Sequence, residues 1–387
     1  MRRAMQTVGW GLYLASSWTW CIGMFLPILL IRWWGWPGFL AFAVPNVIGC
    51  ALFGYVLSPE TSRALVARFR VWIALFGAAT IAYQIGFLLK TGATAALIAA
   101  LPVAFVLLVS ARRGSERSDR TMMAVGACAW IASCLLFARF GSGALANLPT
   151  TGTLPPSSLA WAAPFMAFGF LLCPYLDPTF HLALQRSPSR HAFAVFGAGF
   201  TVMLLFTAAY TDAGLGPTAA PGALLWGKPI FEWQWGLQAA FTIVAVAAAM
   251  RSLEPVSSLG GTRAMLPGMI VTACLALGWQ SMTEPMLPQL AAVLSPSSGP
   301  VPGEATYLRW LGLYGVLFPA MLLLGLRRVP PLVMALAIAG AGFLAEFGMI
   351  GARMPLLTVA VALLMLASLW NNRKTAATEE IASADSR

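Results

Sequence analysis

The sequence predicts an all-α fold, a polytopic transmembrane bundle of about twelve helices, and two observations carry that expectation. Hydrophobic residues make up 59% of the 387 positions and charged residues only 10%. A soluble domain is roughly half apolar and about a quarter charged. The apolar residues also fall in blocks, each long enough to cross about 30 Å of hydrocarbon as a helix. The blocks lack the polar/apolar alternation of barrel strands, and a backbone in lipid must satisfy its own hydrogen bonds.

The spans fall near 8–31, 35–58, 70–90, 93–110, 121–139, 159–183, 191–211, 231–249, 264–283, 307–326, 330–348 and 354–371. Basic residues flanking the spans test that count, because they collect on the cytoplasmic side. With the N-terminus inside, alternate connections carry Arg2 and Arg3; Arg63, Arg68 and Arg70; Arg112, Arg113, Arg117 and Arg120; Arg186 and Arg190; Arg251 and Arg263; Arg327 and Arg328; then Arg373, Lys374 and Arg387. The other side keeps Arg32, Lys90, Arg139, Lys228, Arg309 and Arg353, one per connection and mostly at helix ends, where they can snorkel. The alternation holds at every loop. Both termini are therefore expected in the cytoplasm, with the chain in the cell (inner or plasma) membrane.

The first span follows Arg2 and Arg3 as a signal peptide would, but it is too long and has no small-residue cleavage site, so it is read as retained. The polar tail, 372–387, is expected to be disordered. The net charge of +11 is scattered over short membrane-proximal loops, which points to topology and a lipid bilayer, not to nucleic acid. Cys21, Cys50, Cys128, Cys134, Cys173 and Cys274 all fall within spans and are read as small, buried, reduced side chains. His181 and His191 have no metal-ligand spacing, so no metal site or cofactor is expected beyond a coupling Na+ or H+.

Two spans differ from the rest. In the first, Ser16, Thr19, Gly23 and Pro27 stand at helical spacing. Such a stripe lets backbones approach closely, and Gly23 with Pro27 should weaken the helix near mid-membrane; a kinked packing seam is the alternative. The sixth span contains Cys173-Pro174-Tyr175-Leu176-Asp177-Pro178, followed by Thr179 and His181. Each proline clashes with the preceding turn and pushes its predecessor out of the α region, so a helix cannot run smoothly through it. Broken backbone at membrane depth is tolerated only where it is buried in protein or lines a watery cavity. A membrane carboxylate is costly, so Asp177 should be paired, hydrated, protonated or cation-bound, unless it is a helix-end residue already near the headgroups.

Spans one and six are five apart and therefore cross in opposite directions. Interrupted helices at corresponding positions of two antiparallel five-helix halves point to a transporter with inverted repeats. The halves would be 1–140 and 159–326, joined by the uncharged connection 141–158, with two extra helices in 327–371. The repeat is argued from topology.

The run Ala15-Ser16-Ser17-Trp18, then Gly23, Phe25, Leu26 and Pro27, followed by Gly35-Trp36-Pro37-Gly38-Phe39-Leu40, resembles the first core helices of the sodium/solute symporter family. The resemblance implies the leucine-transporter-type fold, with unwound first and sixth core helices in inverted five-helix halves. It also implies a sodium ion held between first-helix carbonyls, here around 21–24, and hydroxyls of the eighth span. That span departs from the family by offering Thr242 alone where a hydroxyl pair is expected.

Asn46 and Gln84 could line a solute cavity or bridge two helices. Gln234 and Gln238, with Glu232 just before them, read as a vestibule or interfacial rim, and Trp233 and Trp235 as interfacial anchors. Glu346 could pair with Arg353 or serve a subunit contact. The expected function is secondary transport of a small polar solute, not enzyme catalysis. The binding site is expected to draw on Ser16, Thr19, Cys21, Gly23, Asn46, Gln84, Cys173, Tyr175, Asp177, Thr179, His181 and Thr242. Asp177 would bind a cation, an amine or the coupling proton, and His181 would relay a proton or orient that carboxylate. The alternatives are a non-transporting sensor or assembly protein, and an intramembrane lipid-modifying enzyme built on Asp177, His181 and Arg186.

Overall fold

A computed structural model describes residues 1–90, 116–140, 149–209, 229–258 and 304–370. The spans expected at 93–110 and 264–283, with Cys274, lie outside the described residues, as do 141–148 of the connection between the halves, the C-terminal tail and the side chains of Cys21, Glu232 and Trp233.

The described chain is a bundle of helices: α1 (Arg2–Trp18), α2 (Cys21–Trp34), α3 (Trp36–Val56), α4 (Pro59–Lys90), α5 (Glu116–Phe140), α6 (Pro156–Leu172), α7 (Pro178–Arg186), α8 (His191–Ala209), α9 (Pro229–Ser252), α10 (Glu254–Ser257), α11 (Glu304–Gly312), α12 (Phe318–Leu326), α13 (Pro331–Met349) and α14 (Pro355–Ser368). Pro59, Pro156, Pro178, Pro229, Pro331 and Pro355 each open a helix, where the missing N–H would have had no partner anyway. Among the described residues, seven helices are long and apolar enough to cross a membrane, and α1 with α2, whose axes meet at 59°, gives an eighth. Leu40, Val44, Ile48 and Leu52 form an exposed apolar stripe along α3, and Leu332, Leu336 and Phe343 do so on α13, as lipid-facing surfaces require.

Helix α1 packs between α5 and α8, α3 packs on α6 and α8, and α7 lies on α4 and α9. Two sets of bonds define the ends of the bundle. Arg3 Nη2 donates to Pro188 O at 2.8 Å, Arg2 pairs with Glu116 at 3.4 Å, and Arg68 Nη2 donates to Gly325 O at 2.6 Å. At the other end of the first span, Thr153 N donates to Arg32 O at 3.0 Å, Leu154 N to Trp33 O at 2.8 Å and Trp36 N to Pro149 O at 3.1 Å. This strap needs Gly35, whose φ of +67° lies in the left-handed region and whose Cβ would meet the Thr150 backbone at 2.5 Å.

The first span breaks at a different place from the one its sequence suggests. Helix α2 runs through Gly23 and Pro27, and the break lies at Thr19 (φ −81°, ψ 74°) and Trp20 (φ −112°, ψ −176°). At Trp20 the backbone is extended, and the Trp18 and Trp20 rings pack edge-on at 5.7 Å, Trp18 reaching on to Phe180 and Trp20 to Tyr314.

Close helix contact at α1 rests on Gly11, where a Cβ would meet Val195 Cγ1 at 2.5 Å and Ala192 O at 2.8 Å. Gly11→Ala should therefore cost roughly 1–3 kcal/mol by overpacking. Gly342→Ala, with nothing within 4 Å of the new methyl, should be neutral or stabilising. Thermal unfolding of the detergent-solubilised variants checks this; equal melting temperatures would contradict the α1–α8 packing.

Candidate functional site

The sixth span is interrupted where its sequence predicts. Helix α6 ends at Leu172, Cys173–Tyr175 forms a 3-10 turn, and α7 restarts at Pro178. Asp177, 2% exposed, is the N-cap of α7. Its Oδ1 accepts from Thr179 N at 2.6 Å and from Thr179 Oγ1 at 2.5 Å. The positive end of the helix dipole adds to these bonds, so among the described residues this carboxylate is met by backbone and hydroxyl and not by a cationic side chain.

The two breaks meet. Ser17 Oγ, on the last turn of α1, donates to Thr179 Oγ1 at 3.3 Å, and Thr242 Oγ1 of α9 donates to Ser17 O at 3.3 Å. The Trp18 ring lies 4.9 Å from Phe180, and its Nε1 donates to Asn46 Oδ1 of α3 at 2.8 Å.

A third irregularity joins them. Between α11 and α12, Leu313–Leu317 winds as a π-helix, a form that appears frequently at functional sites. Tyr314 O accepts from Cys173 Sγ at 3.1 Å, and the Tyr314 hydroxyl lies 3.1 Å from Thr80 Oγ1 of α4. The Tyr314 ring packs 4.6 Å from Trp20 and 5.2 Å from Phe76. Three departures from α-helical backbone, in three different spans, therefore converge on Tyr314. Beside it, Leu26, Leu30, Phe165, Gly169 and Met349 are among the residues lining a wholly apolar pocket of about 520 Å³, counted out to its mouth.

The residues expected at the site divide. Asp177, Thr179, Cys173, Thr242 and Asn46 lie at the junction, Asn46 as a bridge between α1 and α3. Tyr175 is half-buried in the turn, 5.2 Å from Phe53. Gln84 is buried on α4. Ser16 points the other way, to Gly126 O at 2.8 Å on α5, and Thr19 bonds within its own helix to Ala15 O at 2.7 Å. The two are only three residues apart, but the helix ends between them, so they form no common polar face. Gly23 sits inside α2 near Phe200, and Cys21 opens that helix.

His181 does not orient Asp177. Its Nδ1 lies 2.8 Å from Ser62 Oγ and its Nε2 2.9 Å from Tyr175 O, so both nitrogens are occupied. Glu346 pairs with Arg309, at 2.9 and 2.7 Å, and not with Arg353, because α11 packs against α13 and brings the guanidinium alongside. Gln234, Gln238 and Trp235 are buried and form no rim; Gln238 Nε2 donates to Ser133 Oγ at 2.8 Å, joining α9 to α5. Cys128 is exposed on the outer face of α5, contrary to the expectation that all six cysteines are buried.

Sequence reasoning missed Ser17, Trp20, Ser62, Thr80 and Tyr314. Tyr314 carried a signal, since Gly312, Gly315 and Pro319 flank it and all three loosen a helix. Ser17 and Trp20 could be told from Ser16 and Thr19 only once the break was located.

Fold and site together define a helical bundle, rich in helices long and apolar enough to cross a membrane, organised about two interrupted helices that meet. No protein-family model and no curated protein matches the chain.

The capping role of Asp177 separates its two obvious variants. Asp177→Ala should lose about 0.5–2 kcal/mol of stability, whereas Asp177→Asn keeps an acceptor for Thr179 N and should lose little. Melting temperatures in detergent read this directly, and an equal loss in both variants would contradict the cap.

Proposed function

We propose that the chain is a secondary active transporter of a small polar solute, with twelve spans, both termini cytoplasmic and two inverted five-helix halves. The observation that carries this reading is the convergence of the breaks in the first and sixth spans on Tyr314, joined by the Ser17–Thr179 hydrogen bond. Interrupted helices that face one another at membrane depth expose donors at one end and acceptors at the other, which is how a polar solute and a coupling ion can be held without fixed countercharges. The described helices leave room for the count: α9 and α14 take two further expected spans, and 93–110 and 264–283 would supply the remaining two.

The reading keeps the resemblance to the sodium/solute symporter family as part of the proposal. Under this reading Thr242, whose hydroxyl donates to Ser17 O across the first and eighth spans, is the hydroxyl that the resemblance would give the sodium, with carbonyls from around 21–24. A single hydroxyl leaves sodium and proton coupling as the two alternatives. At the N-terminal end of the bundle, Arg186 pairs with Asp119, each about one-fifth exposed, and Arg3 holds Pro188 O. These contacts tie α7 to α5 and α1, as a closed cytoplasmic gate would. A non-transporting sensor is the second reading, favoured by the mutual pairing of Asp177, Thr179, Ser17 and Thr242, which leaves those groups in contact with one another.

Purified protein reconstituted on solid-supported membranes tests the proposal by recording charge movement on rapid addition of small polar solutes under Na+ or H+ gradients. At least one solute should evoke a current that depends on the coupling ion. Thr242→Ala should raise the ion concentration for half-maximal current about tenfold or more under Na+ coupling and leave it unchanged under H+ coupling. Unchanged transport and ion dependence in Asp177→Asn would remove Asp177 from the mechanism, and the absence of any solute-evoked current over a broad panel would favour the sensor.

A further inference from the structure

The break in the sixth span leaves one backbone acceptor stranded. In a continuous helix the Tyr175 carbonyl would accept from the N–H of residue 179, but Thr179 N donates to Asp177 Oδ1 at 2.6 Å instead. The next nearest candidate, residue 178, is a proline without an N–H. Buried away from water, an unmet carbonyl costs about as much as a lost hydrogen bond. His181 fills the gap. Its ring is 0% exposed, and Nε2 lies 2.9 Å from Tyr175 O.

That contact fixes the tautomer. A carbonyl only accepts, so Nε2 carries the proton and donates. In the neutral ring Nδ1 is then an acceptor, and Ser62 Oγ at 2.8 Å donates to it while accepting from Gln185 Nε2 at 2.9 Å. Ser62 belongs to the first turn of α4, and the imidazole also packs edge-on to Phe53 of α3, centroids 5.2 Å apart. The chain Gln185–Ser62–His181–Tyr175 O therefore connects the unwound turn to a helix outside its own span.

We propose that His181, as the neutral Nε2–H imidazole, is a positioning residue: it clamps the unwound turn of the sixth span to α4, so that the turn separates from Tyr314 only when this clamp opens. The consequence for solute access rests on the transporter reading, but the clamp itself is measured without any solute.

Cys173 reports the position of the turn, being 2% exposed with its thiol on Tyr314 O. In a variant that keeps Cys173 as its single cysteine, the rate of alkylation by N-ethylmaleimide reads how often the turn opens. His181→Phe keeps a ring against Phe53 but removes both bonds, and it should raise the rate roughly tenfold or more, as the loss of two buried hydrogen bonds would. His181→Gln, whose amide nitrogen can reach the position of Nε2, should restore a rate near that of the parent, and Ser62→Ala should fall between. A companion protein with Ala129→Cys as its single cysteine, at a site 2% exposed on α5, which packs on α1, α8 and α9, controls for general loosening. An unchanged Cys173 rate in His181→Phe, or equal acceleration at the Ala129→Cys site, would overturn the clamp; should His181→Phe fail to fold, Ser62→Ala against His181→Gln decides by the same criterion. Absence of transport in the solute assay leaves this result standing, so the two readings fail separately.

Discussion

Hydrocarbon offers a broken helix nothing to bond with, and that constraint organises the junction of the two interrupted spans. A break frees backbone groups that would otherwise bond within the helix, and at this junction four such groups are met by side chains. Thr179 N is met by Asp177, Tyr175 O by His181, Ser17 O by Thr242 and Tyr314 O by Cys173. Four polar residues that look like a binding site in the sequence are thus first of all the partners of an unwound backbone. Their identity follows from the donor or acceptor each position requires.

The same constraint explains the placement of the glycines and aromatic rings around the junction. Irregular backbone can be buried only if its neighbours approach closely. A Cβ on Gly169 would stand 3.1 Å from Tyr314 O, and one on Gly315 would stand 2.4 Å from the Phe165 ring. Trp18, Trp20, Phe76, Tyr83 and Tyr314 then fill the space between the spans with edge-on and stacked contacts. Aromatic groups contribute large apolar area with few rotatable bonds, so they can close the junction in one arrangement. The bonds linking the breaks are few and individually weak, between 3.1 and 3.3 Å for the three that join different spans at Ser17 and Tyr314 O. Such a junction can be rigid in one state and still separate at modest cost.

Much of the architecture was legible in the sequence because hydropathy and proline are local signals. The apolar blocks mark the helices, and Pro174 with Pro178 marks the second interruption to within a residue or two. The first interruption was legible as a span but not as a position. Gly23 and Pro27 are weak helix residues that α2 accommodates near its start, whereas the break lies at Thr19 and Trp20, where long-range ring contacts to Phe180 and Tyr314 gather. Long-range pairing was hidden for the same reason. Nothing near Glu346 in the chain announces Arg309, and nothing near His181 announces Ser62, because helix packing decides both.

The central claim is that the two interruptions occupy one place, and disulfide trapping in native membranes tests it most directly. In a cysteine-free background, Ser17→Cys paired with Thr179→Cys should cross-link rapidly within one molecule under mild oxidation, since the two hydroxyl oxygens stand 3.3 Å apart. Ser16→Cys with Thr179→Cys should not, because Ser16 faces Gly126 on α5. Failure of the first pair to cross-link, or equal cross-linking of both, would contradict the account.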